Sequence, residues 1–282
     1  GPDQALDIAA RVDDLGVFAA PLPGSATIDA RVFDLSNGPA IDASLRATPG
    51  VTAQISGRVT GPEEGVDLRA DVADLGFLVP LLAGPAQLEA RLDDLTSDLL
   101  VDAQLSATPG LTVRVSGRPL SAESPVSVVA DAQSLDFLAP QLAGAANVTA
   151  TLRDLTGQQA FEADISSAIG LTARAEGQLA SPGDAVTLTA RLNALGALVD
   201  GLTGGATVEA QVTGLQATPR VTAARSTDSG AAVELAGDVG LPGGAVALTA
   251  SGQLPLAIAQ GFVADRALDG AARFDLALNG PP

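Results

Sequence analysis

The sequence predicts an all-β protein: an elongated, curled, mostly antiparallel β-sheet repeat array carrying short helical segments. Three observations carry that expectation. The first is a period of sixty residues along the 282-residue chain. One apolar position recurs as Leu6, Val66, Val126, Val186 and Val246, one glycine as Gly24, Gly84, Gly144 and Gly204, and another as Gly57, Gly117, Gly177 and Gly237. A fixed period of this kind marks units that cannot bury their apolar faces alone and must add to their neighbours. The second is strict two-residue alternation of apolar and polar side chains, the signature of strands with one wet face. The third is the regular placement of Gly and Pro between the alternating stretches, which punctuates them as turns. Composition does not shift along the chain, so residues 1–282 read as one continuous array with units 1–65, 66–125, 126–185, 186–245 and a partial 246–282.

Each element of a unit follows from its residues. In the first strand Val66, Leu68, Ala70 and Val72 point one way and Asp67, Arg69 and Asp71 the other. Its counterparts place Leu6, Ile8, Ala10 and Val12, then Val128 and Ala130, then Leu188, Ala190 and Leu192 on the same apolar side. Between the first and second strands the alternation breaks at Asp74–Gly84. Leu75, Leu78 and Leu82 have helical spacing, Asp74 can cap the start, Gly84 can end the segment, and Pro80 limits a helix to about two turns. Phe18, Phe77 and Phe137 sit in three of these segments, where they read as cover for a sheet edge. The second strand turns Leu88, Ala90 and Leu92 inward against Gln87, Glu89 and Arg91 outward. Equivalent inward positions are Ile28, Ala30 and Val32, Val148, Ala150 and Leu152, and Val208 and Ala210. The third strand contributes Val101, Ala103 and Leu105, with Ile165 at the same place one unit later. Thr108-Pro109-Gly110, echoed by Thr48-Pro49-Gly50, turns it into a fourth strand whose inward residues are Leu111, Val113 and Val115. Gly61–Gly65 carries one unit into the next. Strands in series with short turns predict an antiparallel meander of about eighteen or nineteen strands.

Four strands per unit direct their aliphatic side chains to one side, and the short helical segment is too small to cover them. Three solutions follow: the sheet curls until its walls meet dry, it winds into a solenoid, or it forms a trough filled by an apolar ligand. Alanines recur at residues 10, 70, 130, 190 and 250, at 30, 90, 150 and 210, and at 43, 103, 163 and 223, which predicts a column of small residues along the sheet. Such a column suits a crease where walls close up, and equally a gutter with room for acyl chains. In the trough reading, the inward residues named above are the candidate lipid-binding lining. Arg225 breaks the pattern, since it falls on the inward register after Val221 and Ala223. It implies a register shift, a wet spot or a constriction.

Composition excludes several function classes. The chain has no Cys, His, Met, Trp or Tyr, and its fifteen basic residues, all arginines, face thirty-three acids for a net charge of −18. Without imidazole or thiol, most nucleophilic, acid-base and transition-metal chemistry lacks its usual side chains, so the chain reads as a non-enzyme with no cofactor and no metal. Its acidity argues against nucleic acid as a partner. The pairs Asp13-Asp14 and Asp93-Asp94 lack a calcium-loop pattern and read as turn or cap acids. Arg11, Arg31, Arg69, Arg91, Arg153 and Arg191 lie on the wet face beside acids, which predicts cross-strand charge pairs of small energy. No run is apolar enough for a transmembrane helix, and Gly1-Pro2 has the look of a cleavage scar, so targeting and anchoring segments are expected outside this piece.

Several recurring motifs together resemble a known family. They are the Asp-Leu-x-x-Leu-x-Pro-Leu segment of Asp74–Gly84, the strand ends Ser56-Gly57 and Ser116-Gly117, and the closing glycine, alternating strand and glycine-proline cadence of Asp269–Pro281. The chain resembles the periplasmic β-repeat region of the TamB family, in the AsmA-like superfamily of bridge-type lipid-transfer proteins. That resemblance implies a taco-shaped sheet whose hydrophobic groove binds phospholipid acyl chains and conducts lipid between the inner and outer membranes of a Gram-negative cell. It implies residence in the periplasm as part of an inner-membrane-anchored protein, and partnership with an outer-membrane assembly barrel of the TamA type. Beside this conduit, the residues also allow a structural or adhesive stalk with a dry core, or a scaffold for outer-membrane protein assembly.

Overall fold

The computed structural model describes residues 5–14, 24–35, 38–48, 50–60, 64–77, 79, 82–137, 142–181, 183–197, 204–215, 219–227, 230–239, 246–256 and 269–280. Its contacts divide the chain into two compact units, 1–138 and 139–282.

The first unit is an antiparallel meander of nine strands: β1 (Leu6–Val12), β2 (Ala26–Phe33), β3 (Ala40–Ala47), β4 (Val51–Arg58), β5 (Gly65–Val72), β6 (Ala86–Asp93), β7 (Leu100–Ala107), β8 (Leu111–Gly117) and β9 (Val126–Ala132). Each strand pairs with the next, among the described residues the residue-by-residue register of β1 is with β2 alone, and the sheet does not close into a barrel. The second unit repeats the design with β10 (Ala146–Arg153), β11 (Ala160–Ser167), β12 (Leu171–Gln178), β13 (Ala185–Leu192), β14 (Ala206–Thr213), β15 (Arg220–Thr227), β16 (Ala232–Val239), β17 (Val246–Pro255) and β18 (Ala271–Gly280). The predicted curled, antiparallel, all-β repeat array is the fold.

Tight turns hold the register. The amide of Gly110 donates to the carbonyl of Ala107 at 2.9 Å, Gly50 to Ala47 at 2.9 Å and Gly170 to Ser167 at 3.0 Å, one turn in each of three repeats. A second glycine set faces the apolar side where the chain crowds. Gly57, Gly117 and Gly237 have φ of 150°, 142° and 150°, and a Cβ on Gly117 would stand 2.7 Å from the Cα of Val126. Only glycine lets β8 and β9 approach this closely.

The interrupted segment after a repeat's first strand is a short helical stretch of about one turn: in the first unit the amide of Val79 donates to the carbonyl of Leu75 at 3.0 Å, and the described residues of both units include a 3-10 turn. That turn spans Leu75–Phe77 in the first unit and Leu195–Ala197 in the second. Its ends are pinned by the amide of Leu75 donating to the carbonyl of Gly84 at 2.7 Å, and that of Leu195 to Gly204 at 2.8 Å. Closing the loop in this way leaves room for about one helical turn. Phe77 and Phe137 are half-buried, while Phe18, Leu78, Pro80 and the turn residues Gly61–Glu63 lie outside the described residues. The turn seals one lip of the sheet: Leu75 packs with Ala86 and Ala107 against Val72, Leu82 and Leu105, and Leu195 with Leu192 and Ala206 against Ile169 and Leu171. Leu75→Ala should lower stability by about 2–3 kcal/mol in a urea titration of the chain, from lost burial and the cavity left behind. Val79→Ala, 40 % exposed on the same loop, should change it by less than about 0.5 kcal/mol.

Candidate functional apolar face

The ladder registers place every inward residue predicted from alternation on one face. In the first unit a row across the strands runs Val32, Ile41, Gly57, Val66, Leu92, Val101, Gly117 and Val126, and the next runs Ala30, Ala43, Ile55, Leu68, Ala90, Ala103, Val115 and Val128. Ile8 and Leu6 of β1 extend these rows through Ala30 and Val32, and Ala10 and Val12 stand beside Ile28 and Ala26. Ala70 pairs with Leu88, Val72 with Ala86, and Leu111 with Ala107 and Ala132. The second unit aligns Leu152, Phe161, Gly177, Val186 and Val212 in one row, and Ala150, Ala163, Ala175, Leu188 and Ala210 in another.

The alanines do not form the predicted column. Ala30 pairs with Ala43 and Ala90 with Ala103 in one row, but Ala53 pairs with Ala70 in the adjacent row. Large pairs fill the gaps: Ile28 with Leu45 and Leu88 with Leu105 beside the first kind, Ile55 with Leu68 beside the second. The wall is therefore a checkerboard of small and large pairs. Antiparallel pairing decides this, because it sets a strand's alanine opposite a partner the repeat alone does not reveal.

The face is open. Leu68, Leu88, Leu105 and Val113 are half-buried, whereas Asp67, Glu89, Asp102 and Arg114 on the other side are exposed, as alternation predicts. No large side chain among the described residues is fully enclosed; the most buried positions, such as Ala26 and Ala86 at 2 %, sit at strand ends beside the lip. The terminal strands are barer still. Leu6 is 54 % exposed on β1, and Leu278 is 64 % exposed on β18, because among the described residues each is in register with one strand alone. Contiguous exposed apolar surface on this scale marks a site for a ligand or partner.

Arg225 breaks the row without disturbing the ladder. It pairs in regular register between Val208 of β14 and Val233 of β16, so the register-shift explanation fails. Its side chain is exposed, which makes the position a wet spot on the apolar face.

The opposite face is a charge lattice. Arg91 meets Asp67 at 3.1 Å and Asp93 at 3.0 Å, Arg69 pairs with Glu89, and Arg174 gathers Glu162, Asp164 and Glu176. The hydrogen bonds that Arg91 donates to Asp93 and Asp67 push its guanidinium pKa further up, and the charge of Glu162 does the same for Arg174. A shallow depression of about 510 Å³ opens here among Gln54, Asp67, Arg69, Glu89, Arg91 and Gln104. Ion pairs already occupy its Asp67, Arg69, Glu89 and Arg91 side chains, and no group of three acids among the described residues could hold a metal.

Sequence reasoning missed one recurring device at the lip opposite the Leu75 turn. Arg58 meets Asp34 at 2.8 Å and the carbonyl of Gly38 at 2.6 Å, and sixty residues later Arg118 meets Asp94 at 2.9 Å and Asp98 at 3.2 Å. The hydrogen bond to Asp94 pushes the Arg118 guanidinium up. Asp34, Asp94 and Asp154 all hold positive φ, 57°, 55° and 49°, and glycine takes the fourth place at Gly214. An Asp–Arg pair recurring twenty-four residues apart was the available signal.

Asp74 closes the loop at the other lip by accepting from the amides of Gly84 at 2.7 Å and Gly76 at 2.9 Å. Those two bonds, Gly84 first, lower its carboxyl below the ordinary 3.8. A lowered carboxylate contributes stability that is complete above the unfolded-state value and is lost as pH falls through the native one. The Gly76 and Gly84 amide resonances should therefore titrate with a midpoint below 3.8, and Asp74→Asn should abolish that movement.

No family model, curated protein or solved structure matches this chain. Within each unit the antiparallel repeat meander is consistent with the broad AsmA/TamB-like class of β-repeat arrays and with a groove or scaffold role.

Proposed function

We propose that this chain is a non-catalytic lipid conduit: its apolar face binds the acyl chains of phospholipids and lets them move from repeat to repeat. The observation that carries this reading is the apolar wall itself, continuous across nine strands in the first unit, free of charge there, and left half-exposed by its own chain. A dry stalk needs facing walls that enclose these side chains, and within each unit most of them stay half-exposed, with only a few such as Val66 and Val126 buried. The TamB resemblance extends the reading to the periplasm, to an inner-membrane-anchored parent protein, and to a TamA-type barrel as partner. Organic extraction of the purified chain followed by mass spectrometry tests it. Phospholipid in near-stoichiometric amount is the expected result; clean extracts from repeated preparations would leave the scaffold reading in its place.

A further inference from the structure

We infer that Arg225 is a head-group anchor, selecting within the second unit for phospholipids whose head group carries net negative charge. The inference rests on the conduit reading and deepens it. Position 225 is occupied by Leu45, Leu105 and Ile165 in the earlier repeats, so a residue with an aliphatic place in the wall has become a cation. Its cross-strand neighbours are Val208 and Val233, and among the described residues it is the one charge on the apolar face and has no ion-pair partner there. The nearest acids by register, Glu209 and Glu234, sit opposite Ala224 and so on the other face of the sheet. In a chain of net charge −18, a bare guanidinium on an apolar wall attracts an anion that the rest of the molecule repels.

A guanidinium offers forked donors that match phosphate oxygens, and lipid is the phosphate source whose remaining bulk also matches the wall. From Arg225 the row continues through Val208, Ala190, Ala173, Ile165 and Val148 without charge, five strand steps and about 24 Å of apolar surface. In the other direction the row meets Gly252, and the ring of Phe274 stands 3.1 Å from where a Cβ of that glycine would lie. Phe274 thus fills the wall beyond Val233, and the acyl chain extends from Arg225 toward β10.

Delipidated chain incubated with vesicles of equal phosphatidylglycerol and phosphatidylcholine, re-isolated and analysed by mass spectrometry, tests the assignment. Both phosphates can accept from the guanidinium, but in phosphatidylcholine the choline ammonium offsets the charge, so enrichment of phosphatidylglycerol by roughly tenfold is expected. Arg225→Leu, which restores the residue of the earlier repeats, should bind at least as much total lipid with the enrichment gone, and Arg225→Lys should keep part of it. If Arg225→Leu binds lipid with the wild-type ratio, the anchor is refuted while the conduit stands. If neither wild type nor variant takes up any lipid, the conduit reading falls and the anchor falls with it. Equal uptake of both lipids by the wild type also overturns the anchor.

Discussion

Gly117→Ala is expected to destabilise the first unit by about 3 kcal/mol, the sum of a backbone held at a conformation that L-residues avoid and a methyl forced into a packed neighbour. The φ of 142° and the 2.7 Å separation between an added Cβ and the Cα of Val126 are the cause. Neither can relax cheaply, because the obstacle is the backbone of β9 rather than the end of a flexible side chain. Repeat arrays depend on nearest neighbours, so the loss should be concentrated in β8 and β9 and appear in hydrogen exchange as lost protection of those strands before β2 and β3. Gly183→Ala is the control. An added Cβ there meets nothing within 4 Å, and its substitution should stay within about 0.5 kcal/mol. Equal effects at both positions would refute the close approach as the reason for the glycine.

Leu88→Asp should abolish lipid passage along the first unit while most of the sheet stays folded. Leu88 stands between Ala70 and Leu105, with no basic residue on this face among the described residues of the first unit to receive a carboxylate, and an unpaired charge in apolar surroundings costs several kcal/mol even after relaxation. A lipid moving along this wall would have to carry its acyl chain past that charge. The matched outward substitution is Ser106→Asp, whose cross-strand neighbours Gln87 and Thr112 are uncharged. Gln87→Asp is a poorer control, because Gln87 donates to Asp71 at 3.0 Å and an acid there would face another. Transfer between donor and acceptor vesicles, measured with melting curves, separates the outcomes. If Leu88→Asp stays folded and transfers lipid at the wild-type rate, the apolar face is not the path. If Ser106→Asp blocks transfer as well, charge alone rather than its position is responsible.

The sequence by itself determined the strands, their faces and their order. Alternation with period two places Leu68 and Asp67 on opposite sides whatever the neighbouring strand does, and a sixty-residue repeat forces the same assignment on Ile8, Val128 and Leu188. Turn chemistry was equally local, because Thr-Pro-Gly leaves the chain little choice but to reverse. What only the tertiary structure decided depends on partners distant in sequence. The repeat aligns Ala10 with Ala70, but pairing sets Ala70 against Leu88 and turns the alanine column into a checkerboard. The helical spacing of Leu75 and Leu82 came to about one helical turn, and only the fold showed that hydrogen bonds from Leu75 and to Asp74 tie its ends to Gly84. The Arg118–Asp94 latch joins residues twenty-four apart across strand ends. Arg225 was visible as an inward charge, yet its meaning depended on the ladder, which shows the register intact and the neighbours apolar. Local periodicity fixes which way a side chain points; long-range pairing alone fixes what it meets.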